Sequence, residues 1–455
     1  MSNRRFSGRL IYAFIIILSF YIFFMTTSLV QFTRSIRVIL TPSSLNESIL
    51  IYSAYYDNRT GPGSFRILAV SPCLPSSTHL SIGGISYFKS AVIMFLGSYS
   101  FHSSLFHSPM EKFCPWKWAP SCKWNAYHFQ SQSMPFSPGI NVNLFERSVK
   151  MHVNSVPFLH ETLEVCVPPL YWYDDWPRLI LFVEYWKEEG ASLSIYVNSV
   201  SDKVKKVLDY YETEGSIKVI NWPKLPRLKD EDPNKSVYRL SHSLAHNDCV
   251  LRSSSKFTTL LDLDEFIYVR NSSLLDFVRS KFSEDSSIGS LIFQHRGLES
   301  ESQLDESFDA LDSLEIIDVD GPSKVLFNPS SVLFLSTHFV NTHVDGFDGR
   351  TIPTDEAFLL HNRISFGDKE RGDKMKIDEK LFGLLKEKVI ETRDIVFGLN
   401  TPIFTLNVTN EVIRCTSSWR VDGCKTPIYS CYSPLIAMDK WIFMHSSPDS
   451  HFNIL

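Results

Sequence analysis

The stretch between residues 163 and 262 alternates between short apolar runs and longer segments with helical periodicity. Leu179, Phe182 and Trp186, for example, recur at the spacing that places them on one face of a helix. The pattern predicts strands at 163–170, 193–197, 217–220 and 257–262, with helices at about 175–190, 204–215 and 237–253. Strands that alternate with helices of this length form βαβ units with right-handed crossovers, so the sequence predicts an α/β fold on a parallel sheet.

The last of these strands ends abruptly in acids, Asp262-Leu263-Asp264-Glu265-Phe266. Because side chains alternate on an extended segment, Asp262 and Asp264 are expected to point the same way. The carboxyl ends of strands border the ligand crevice in open α/β sheets. Two carboxylates there can hold a hard divalent cation, which can neutralise the diphosphate of a nucleotide sugar. The alternative for an isolated Asp-x-Asp is a solvated turn or a cap.

The amino terminus carries an uncharged apolar segment at residues 10–30, with arginines on both sides. A helix of this length spans about 30 Å, the thickness of the hydrocarbon core of a bilayer. A cleavable signal peptide is the alternative, but its apolar region has about 7–15 residues and precedes a small-residue cleavage site. We therefore expect an uncleaved signal-anchor with a cytoplasmic tail and a luminal body.

Two further features are typical of a luminal protein. Asn-x-Ser/Thr acceptor motifs follow the apolar segment, at Asn46, Asn58, Asn234, Asn271 and Asn407. The eight cysteines form an even set that suits an oxidising compartment, and they include no Cys-x-x-Cys pair of the kind found in zinc ribbons. We expect Cys415, Cys424 and Cys431 to cross-link local loops, while a free thiol among the eight stays open.

Length and composition exclude several other classes. The chain has 455 residues, of which 44% are hydrophobic, and this is enough for a substantial core. Its net charge of −5 gives no basic surface for nucleic acid, and it contains no internal repeat. The expected order is a tail at 1–9, a transmembrane signal-anchor at 10–30, a stem at 31–48, a β-rich accessory region at 49–160, the α/β domain at 161–400 and a cysteine-containing extension at 401–455.

Five motifs occur in order along the α/β domain: Cys166-Val167-Pro168-Pro169-Leu170-Tyr171, Ala245-His246-Asn247-Asp248-Cys249, the acidic stretch 262–266, Thr337-His338-Phe339 and His361-Asn362-Arg363. Together they resemble glycosyltransferase family 92 over about residues 160–400, with a weaker likeness at 51–73. The chain departs from the family's pattern at Asn362, where members often have Tyr, and at His242, where they often have Gln. Neither departure removes a charge that the metal needs, and both change positions expected to contact the acceptor or the nucleotide.

The resemblance implies a type II Golgi membrane enzyme with the GT-A, or nucleotide-diphospho-sugar transferase, fold. It implies an inverting, metal-dependent galactosyltransferase that uses UDP-galactose. The expected acceptor is a glycan on a glycoprotein. The core fucose of N-glycans is one candidate, because animal members of the family act on that sugar, whereas plant members extend β-1,4-galactan.

Asp264 is, on this resemblance, a direct ligand of a divalent metal, with Mn²⁺ as the expected ion. Asp262 would bind the ribose or reach the metal through water. A late histidine completes many such sites, since imidazole can join oxygen ligands around a first-row ion. His361, at the end of an apolar stretch, is the first candidate, and His338 is the second. Strand alternation turns Glu265 away from Asp264, so we expect it in a structural salt bridge.

Other polar residues could bind the donor. Arg363 would pair with the leaving diphosphate, with a surface ion pair as the alternative. Asp248 would contact the uridine or ribose, or else make a buried hydrogen bond. Asp174 and Asp175 either reach the nucleotide base or cap the following helix.

Inversion requires a carboxylate that deprotonates the acceptor hydroxyl opposite the departing nucleotide. Asp355 is the expected base, although spacing does not distinguish it from Glu356, Glu299 or Glu301. A catalytically inactive glycan-binding or scaffolding protein is the alternative function. A metal-dependent phosphoesterase would need more clustered carboxylates and histidines for two metals than the sequence offers.

Overall fold

The computed structural model describes residues 48–59, 61–74, 78–90, 95–363, 372–376, 379–417, 424, 426–448 and 450–455. The expected tail, signal-anchor and nearly all of the stem lie outside these described residues. Ser48–Leu455 forms one compact unit. In the described part of the chain, no helix is long and apolar enough to cross a membrane. The domain boundaries near residues 160 and 400 stay predictions.

Nine strands among the described residues form a mainly antiparallel sheet, and eight of them lie in the region expected to be β-rich. Two of them are β1 (Leu50–Asp57) and β2 (Ser64–Ser71). The others are β3 (Leu80–Ser90), β4 (Phe95–Pro109), β5 (Asn125–Ser133), β6 (Gly139–Leu144), β7 (Arg147–His152), β8 (Asn154–Ser155) and β25 (Asn453–Ile454). Their order is β25-β1-β2-β5-β4-β3-β6-β7, with β8 beside β1, so the end of the chain pairs with its first described strand.

A second sheet of seven described strands carries the α/β part of the fold. It contains β9 (His160–Leu170), β10 (Ala191–Val197), β12 (Ile217–Asn221), β13 (Ser255–Leu260), β15 (Ile288–Phe293), β18 (Lys324–Phe327) and β21 (Asp348–Thr351), in the order β12-β10-β9-β13-β18-β15-β21. The first four run parallel, as the sequence predicts. β18 is antiparallel to both of its neighbours, so the sheet is mixed. The sequence does not predict this strand, because an antiparallel strand needs no helical crossover that periodicity would reveal.

Three small sheets complete the strands. One joins β14 (Glu265–Val269), β22 (Ala357–Asn362), β16 (His295–Glu299), β17 (Glu315–Ile317) and β23 (Lys374–Lys376) in that order. The others pair β11 (Ser199–Ser201) with β24 (Trp441–Phe443), and β19 (Val332–Leu335) with β20 (Val340–His343). Glu265 pairs with His361 across β14 and β22, and this register brings the end of β22 beside the residues that precede β14.

The helices are α1 (Trp176–Glu188), α2 (Asp202–Glu214), α3 (His242–Arg252), α4 (Leu274–Glu284), α5 (Glu379–Phe397), α6 (Asn407–Ser417), α7 (Pro427–Ser430) and α8 (Tyr432–Leu435). Asp175 caps α1, because its carboxylate accepts from the N–H of Arg178 at 3.1 Å. Gly215 ends α2 with a φ of 88°, which a glycine adopts without strain. Both helices therefore match the predicted ones, at boundaries set by local chemistry.

The apolar face of α1 fixes the parallel strands. Trp176, Phe182 and Trp186 are fully buried and pack in one core cluster with Leu193 of β10 and Phe266 of β14. Burial of each such side chain stabilises the fold by roughly 1.5–3 kcal/mol. This packing holds the strand ends that border the site in a rigid frame.

All eight cysteines form disulfides: Cys73–Cys114, Cys122–Cys424, Cys166–Cys249 and Cys415–Cys431. The expectation of local cross-links near the carboxyl end holds for Cys415 and Cys431, which are 16 residues apart. It is wrong for Cys424, whose partner Cys122 is 302 residues away. Spacing along the chain does not reveal which distant segments the fold brings together.

The acceptor motifs differ in accessibility. Asn234 is buried, and its side-chain amide exchanges hydrogen bonds with the backbone of Leu225, so it cannot accept a glycan in the folded protein. Asn58, Asn271 and Asn407 are exposed, and Asn46 lies outside the described residues. Three exposed candidates for glycosylation therefore remain in the part of the chain that the structure describes.

Candidate functional site

A cavity of about 640 Å³ opens at the carboxyl ends of β9 and β13. Its walls come from the residues around the end of β9, the turn between β13 and β14, the amino-terminal turns of α3 and one face of α6. The sequence predicts the ligand crevice at this edge of the sheet. The acids that line it among the described residues are Asp174, Asp175, Asp262 and Asp264.

Asp262 and Asp264 lie in the tight turn between β13 and β14 and not on a strand. β13 ends at Leu260, and the N–H of Glu265 donates to the carbonyl oxygen of Asp262 at 3.0 Å, which closes the turn. Strand alternation is therefore the wrong reason for their alignment, although both side chains line the cavity. The Asp262 side chain is 40% exposed and that of Asp264 is 30% exposed, so a ligand can reach both.

A buried ion pair between Glu265 and Lys324 supports this turn. Nζ of Lys324 lies 2.9 Å from Oε2 of Glu265 and 3.3 Å from Oδ2 of Asp262. Oε2 of Glu265 also accepts from the N–H of Asp262 at 2.9 Å. Burial raises the pKa of Asp262, but the charges of Lys324 and Arg239 outweigh burial and hold this pKa below its usual range. The salt bridge expected for Glu265 is thus present, and Asp262 stays ionised.

His361, in β22, is oriented by a chain of hydrogen bonds. Nδ1 of His295 lies 2.9 Å from the carbonyl oxygen of Val319, which can only accept, so this nitrogen carries the proton. Nε2 of His295 is then the acceptor for Nδ1 of His361, at 3.2 Å. Nε2 of His361 consequently presents a lone pair, which accepts from Nε of Arg363 at 2.9 Å, and this nitrogen lies 3.2 Å from Oδ2 of Asp264. A second residue that sets the tautomer in this way is typical of histidines that bind metals.

The side chains around this contact fit a divalent cation. Oδ2 of Asp264 and Nε2 of His361 lie 3.2 Å apart, and adjacent ligands around an ion with bonds of about 2.1 Å lie about 3 Å apart. A bound ion would replace the N–H of Arg363 at Nε2 of His361. A mixed oxygen and nitrogen set suits a first-row ion such as Mn²⁺. Elsewhere in the described chain, Glu164 with Cys166 and Cys249 has suitable atom types, but the two cysteines are bonded to each other.

Arg178 and Arg363 both line the cavity and differ in their partners. Nε of Arg178 lies 3.0 Å from Oδ2 of Asp175, and its Nη1 donates to the carbonyl oxygen of Asn362 at 3.0 Å. Arg363 is exposed, and its Nε donates to Nε2 of His361 at 2.9 Å. Arg363 therefore lies beside the acidic turn, and its contact with a diphosphate stays a prediction.

Asp174 has a different environment from its neighbour Asp175. Asp175 caps α1 and pairs with Arg178, whereas no ion pair joins Asp174 to a described lysine or arginine. Asp174 is 7% exposed and lines the cavity. Burial, followed by the negative charge of Asp175, raises the pKa of Asp174 to about 7. Capping thus explains Asp175 alone, and Asp174 is a carboxyl group that titrates near neutral pH.

Three consecutive residues before α3 have left-handed backbone conformations. Arg239, Leu240 and Ser241 have φ values of 41°, 56° and 60°. This conformation costs roughly 1–2 kcal/mol for each residue other than glycine, and such strain clusters at functional sites. It also delays the start of α3 to His242, whereas the sequence predicts a start near Val237.

His338 and Asp355 differ in their relation to the acidic turn, because His338 interacts electrostatically with Asp262 and Lys324 whereas Asp355 does not line the cavity. His338 follows β19, and its Nδ1 lies 3.2 Å from the carbonyl oxygen of Ser323. Asp355 precedes β22 by two residues and His361 by six, and a strand rises ~3.3 Å per residue, so roughly 20 Å of chain separates it from His361. His338 as a metal ligand stays a prediction. Asp355 lies off the cavity lining, because an adjacent apolar run does not reveal which end of a strand faces the site. The alternative bases also lie off the cavity lining: Glu299, Glu301 and Glu356.

Asp248 is buried in α3 and does not line the cavity. Its Oδ1 accepts from the hydroxyl groups of Tyr55 at 2.6 Å and Ser53 at 3.3 Å. Its Oδ2 accepts from the hydroxyl of Tyr196 at 2.8 Å and from Nε of Arg252. The carboxylate thus joins β1, β10 and α3, and the predicted contact with uridine or ribose is corrected to the buried hydrogen-bond alternative.

Two solved structures show a low similarity to the chain. TarS 1–349 of S. aureus in complex with UDP-GlcNAc aligns with a TM-score of 0.27 and 11% identity, over 64% of this chain and 99% of that chain. The mannosyltransferase PcManGT from Pyrobaculum calidifontis in complex with GDP-Man and Mn²⁺ aligns with a TM-score of 0.27 and 10% identity, over 61% of this chain and 87% of that chain. Scores at this level do not define a fold.

Two Caenorhabditis elegans relatives are glycosyltransferase family 92 proteins. F13G3.3 is 27% identical over 280 residues, which cover 56% of this chain and 51% of the relative. C33H5.2 is 23% identical over 250 residues, which cover 48% and 47%. The chain spans about half the length of these curated relatives. The model of the family described as Glycosyltransferase family 92 matches residues 161–394, more than half of the chain, and this range includes Asp262, Asp264 and His361. The chain therefore belongs to glycosyltransferase family 92.

Proposed function

We propose that the protein is an inverting, metal-dependent glycosyltransferase with the GT-A fold that moves galactose from UDP-galactose to a glycan acceptor on a glycoprotein. The observation that carries this proposal is the 3.2 Å contact between Oδ2 of Asp264, which lines the cavity, and Nε2 of the buried His361. Membership in a glycosyltransferase family supports sugar transfer as the reaction class. The core fucose of N-glycans is the first acceptor to test.

The residues in and next to the cavity would have different roles. Asp264 and His361 would hold a divalent cation, which neutralises the charge of the departing diphosphate when it is bound. His295 keeps His361 in the tautomer that presents its lone pair. Asp262 would bind the ribose or reach the cation through water. Arg363, at the exposed edge of the cavity, would pair with a phosphate oxygen.

Asp174 is the base that we propose in place of Asp355. A base must lie in the cavity that holds the sugar, and Asp174 lines this cavity whereas Asp355 does not. Its pKa of about 7 suits proton removal at neutral pH. Asp175 is less suitable, because Arg178 already pairs with its carboxylate.

We also propose that the protein is a single-pass type II membrane protein of the Golgi with a luminal catalytic domain. The apolar segment at residues 10–30 and the four disulfides support this location. Enzymatic deglycosylation of the protein from cultured cells tests it, and we expect increased mobility in gel electrophoresis. Unchanged mobility together with a cytosolic distribution would contradict the proposal.

Lys324 favours a second candidate, a catalytically inactive glycan-binding or scaffolding protein. Its Nζ lies 3.3 Å from Oδ2 of Asp262, where it competes with a cation for this oxygen. A buried lysine can balance the acidic turn by itself. The two candidates therefore differ in whether the site binds a metal and turns over donor.

A transfer assay on the full-length protein separates these candidates. The protein is incubated with UDP-galactose, Mn²⁺ and fucosylated N-glycans, beside the variant Asp264→Ala and the matched control Asp355→Ala. We expect galactose transfer that Asp264→Ala abolishes and Asp355→Ala preserves. Glycan binding without turnover of any nucleotide sugar would support the inactive protein, and release of inorganic phosphate would indicate a phosphoesterase.

A further inference from the structure

The amino-terminal end of α3 forms one corner of the cavity. Arg239, His242 and His246 line the cavity there, and with Ser241 they make up what we call the Arg239 corner. α3 has 11 residues, and no side chain caps its amino terminus. The amino terminus of a helix carries a partial positive charge that favours an anion.

The Arg239 corner contains buried polar atoms without partners. Among the described residues, these atoms are Nε of Arg239, Oγ of Ser241, Nδ1 of His242 and Nδ1 of His246. His242 and His246 are only 5% and 2% exposed. Buried polar atoms without hydrogen bonds are rare in proteins, and these four leave unused hydrogen-bonding capacity beside the cavity.

The charge of the corner belongs to Arg239. Burial lowers the pKa of His246 to about 3 and that of His242 well below its usual value, so both rings are neutral at pH 7. Interaction with Tyr171, and then with Asp262 and Asp264, raises the pKa of Arg239 despite its burial. Arg239 is therefore a permanent cation whose field reaches the acidic turn.

Arg239 also differs from the two other arginines that line the cavity. Nε of Arg178 is paired with Asp175, and Nε of Arg363 donates to His361. Nε of Arg239 has no partner in the described part of the chain. A guanidinium group with an unused donor can bind a phosphate at two points.

We propose that the Arg239 corner binds the diphosphate of the donor nucleotide, with Arg239 as its charged partner and the two neutral histidines as hydrogen-bonding groups. The inference rests on the proposed function, because it places a part of the donor within the same cavity. It moves the main protein contact with the diphosphate from Arg363 to Arg239. The left-handed backbone of Arg239 would then be explained by the position of its side chain in the cavity lining, where it would contact the diphosphate.

Binding of UDP, uridine and inorganic pyrophosphate to the full-length protein tests the proposal by calorimetry, in EDTA and in Mn²⁺. The variant is Arg239→Asn, because asparagine tolerates a left-handed backbone and removes the charge. We expect its affinities for UDP and pyrophosphate to fall about 10- to 100-fold in both buffers, as for the loss of charge-assisted hydrogen bonds. Its affinity for uridine should stay within about twofold, since uridine has no phosphate.

Two further variants serve as controls. Arg239→Lys keeps the charge and should recover part of the lost affinity for UDP, because only the second contact point is missing. Arg227→Asn removes an exposed arginine outside the cavity and should leave all three affinities unchanged.

The outcomes separate this inference from the proposed function. UDP binding in Arg239→Asn that equals the wild type, or no binding of UDP and pyrophosphate by the wild type, would overturn the inference. An equal loss of uridine binding would also overturn it, because it would point to a general disturbance of the cavity. UDP binding that depends on Arg239, without sugar transfer by the wild type, would support the inference and contradict the proposed function.

Discussion

Two groups of carboxylates in the compact unit have opposite surroundings. Asp248 is fully buried, and four donors occupy its two oxygens. Asp262 and Asp264 lie in a turn, are partly exposed and border a cavity. A buried acid with complete partners stabilises a fold, whereas an acid that keeps lone pairs open to a cavity is available to a ligand. Carboxylates whose oxygens are fully hydrogen-bonded thus belong to the structural core, and carboxylates with accessible oxygens belong to the candidate site.

The two helices that border the cavity show the same contrast. α1 starts with a regular cap, in which Asp175 accepts from the N–H of Arg178. α3 follows left-handed residues and has no side-chain cap. The helix that packs in the core, α1, therefore starts with a regular cap. The helix start that lines the cavity, at α3, has a strained backbone and no side-chain cap.

The largest expected effect is the loss of activity in Asp264→Asn, which should leave the stability of the protein nearly unchanged. Asp264→Asn should lower kcat/KM for UDP-galactose by about 10³-fold, because it removes a group that neutralises charge in the transition state. Its free energy of unfolding should stay within about 0.5 kcal/mol of the wild type, since the side chain is partly exposed. Initial rates and thermal unfolding measure the two quantities. Activity within tenfold of the wild type would break the comparison.

Asp248 should show the reverse behaviour. Asp248→Asn should lower the free energy of unfolding by about 3 kcal/mol, because it leaves Arg252 and two tyrosine hydroxyls without their charged partner. Denaturant unfolding measures this loss, with Asp276→Asn at an exposed position of α4 as the control that should change by less than about 0.5 kcal/mol. A stable Asp248→Asn protein that no longer binds UDP would instead place Asp248 in the site.

Asp174 sharpens the comparison through its pH dependence. A base acts after it loses its proton, so a pKa of about 7 predicts that the wild-type kcat rises between pH 6 and pH 8. Asp174→Asn should lower kcat by about 10²-fold and remove this rise. The exposed Asp209→Asn of α2 should keep the wild-type profile. A rise that persists in Asp174→Asn would assign the base to another group.

The smallest expected effect concerns His295, which touches the proposed metal ligand without binding the metal. His295→Ala should weaken Mn²⁺ binding about tenfold, because His361 can then adopt the other tautomer. Calorimetric titration with Mn²⁺ measures the change. His343→Ala, whose ring bonds to Ser290 instead, is the matched control. Equal Mn²⁺ affinities in His295→Ala and the wild type would remove the tautomer argument.

The sequence predicts the parallel half of the sheet because that half depends on local periodicity. The apolar residues of α1, α2 and the first strands repeat at regular intervals, and tertiary contacts follow that pattern. β18 was missed because four residues without a preceding helix carry no such signal. The turn at Asp262 was missed because its closure depends on Glu265 and the buried Lys324 behind it.

The candidate site was predictable where residues follow strong patterns. Asp262, Asp264, His361 and Arg363 belong to motifs and do come together. His295, Lys324 and Arg239 belong to none, and only the folded chain reveals their contacts.

The most direct test of the central claim is anomalous diffraction at the manganese edge from crystals of the protein with Mn²⁺ and UDP. A peak between Oδ2 of Asp264 and Nε2 of His361 is the expected result. A peak elsewhere, or bound UDP with no peak at these two atoms, would contradict the account.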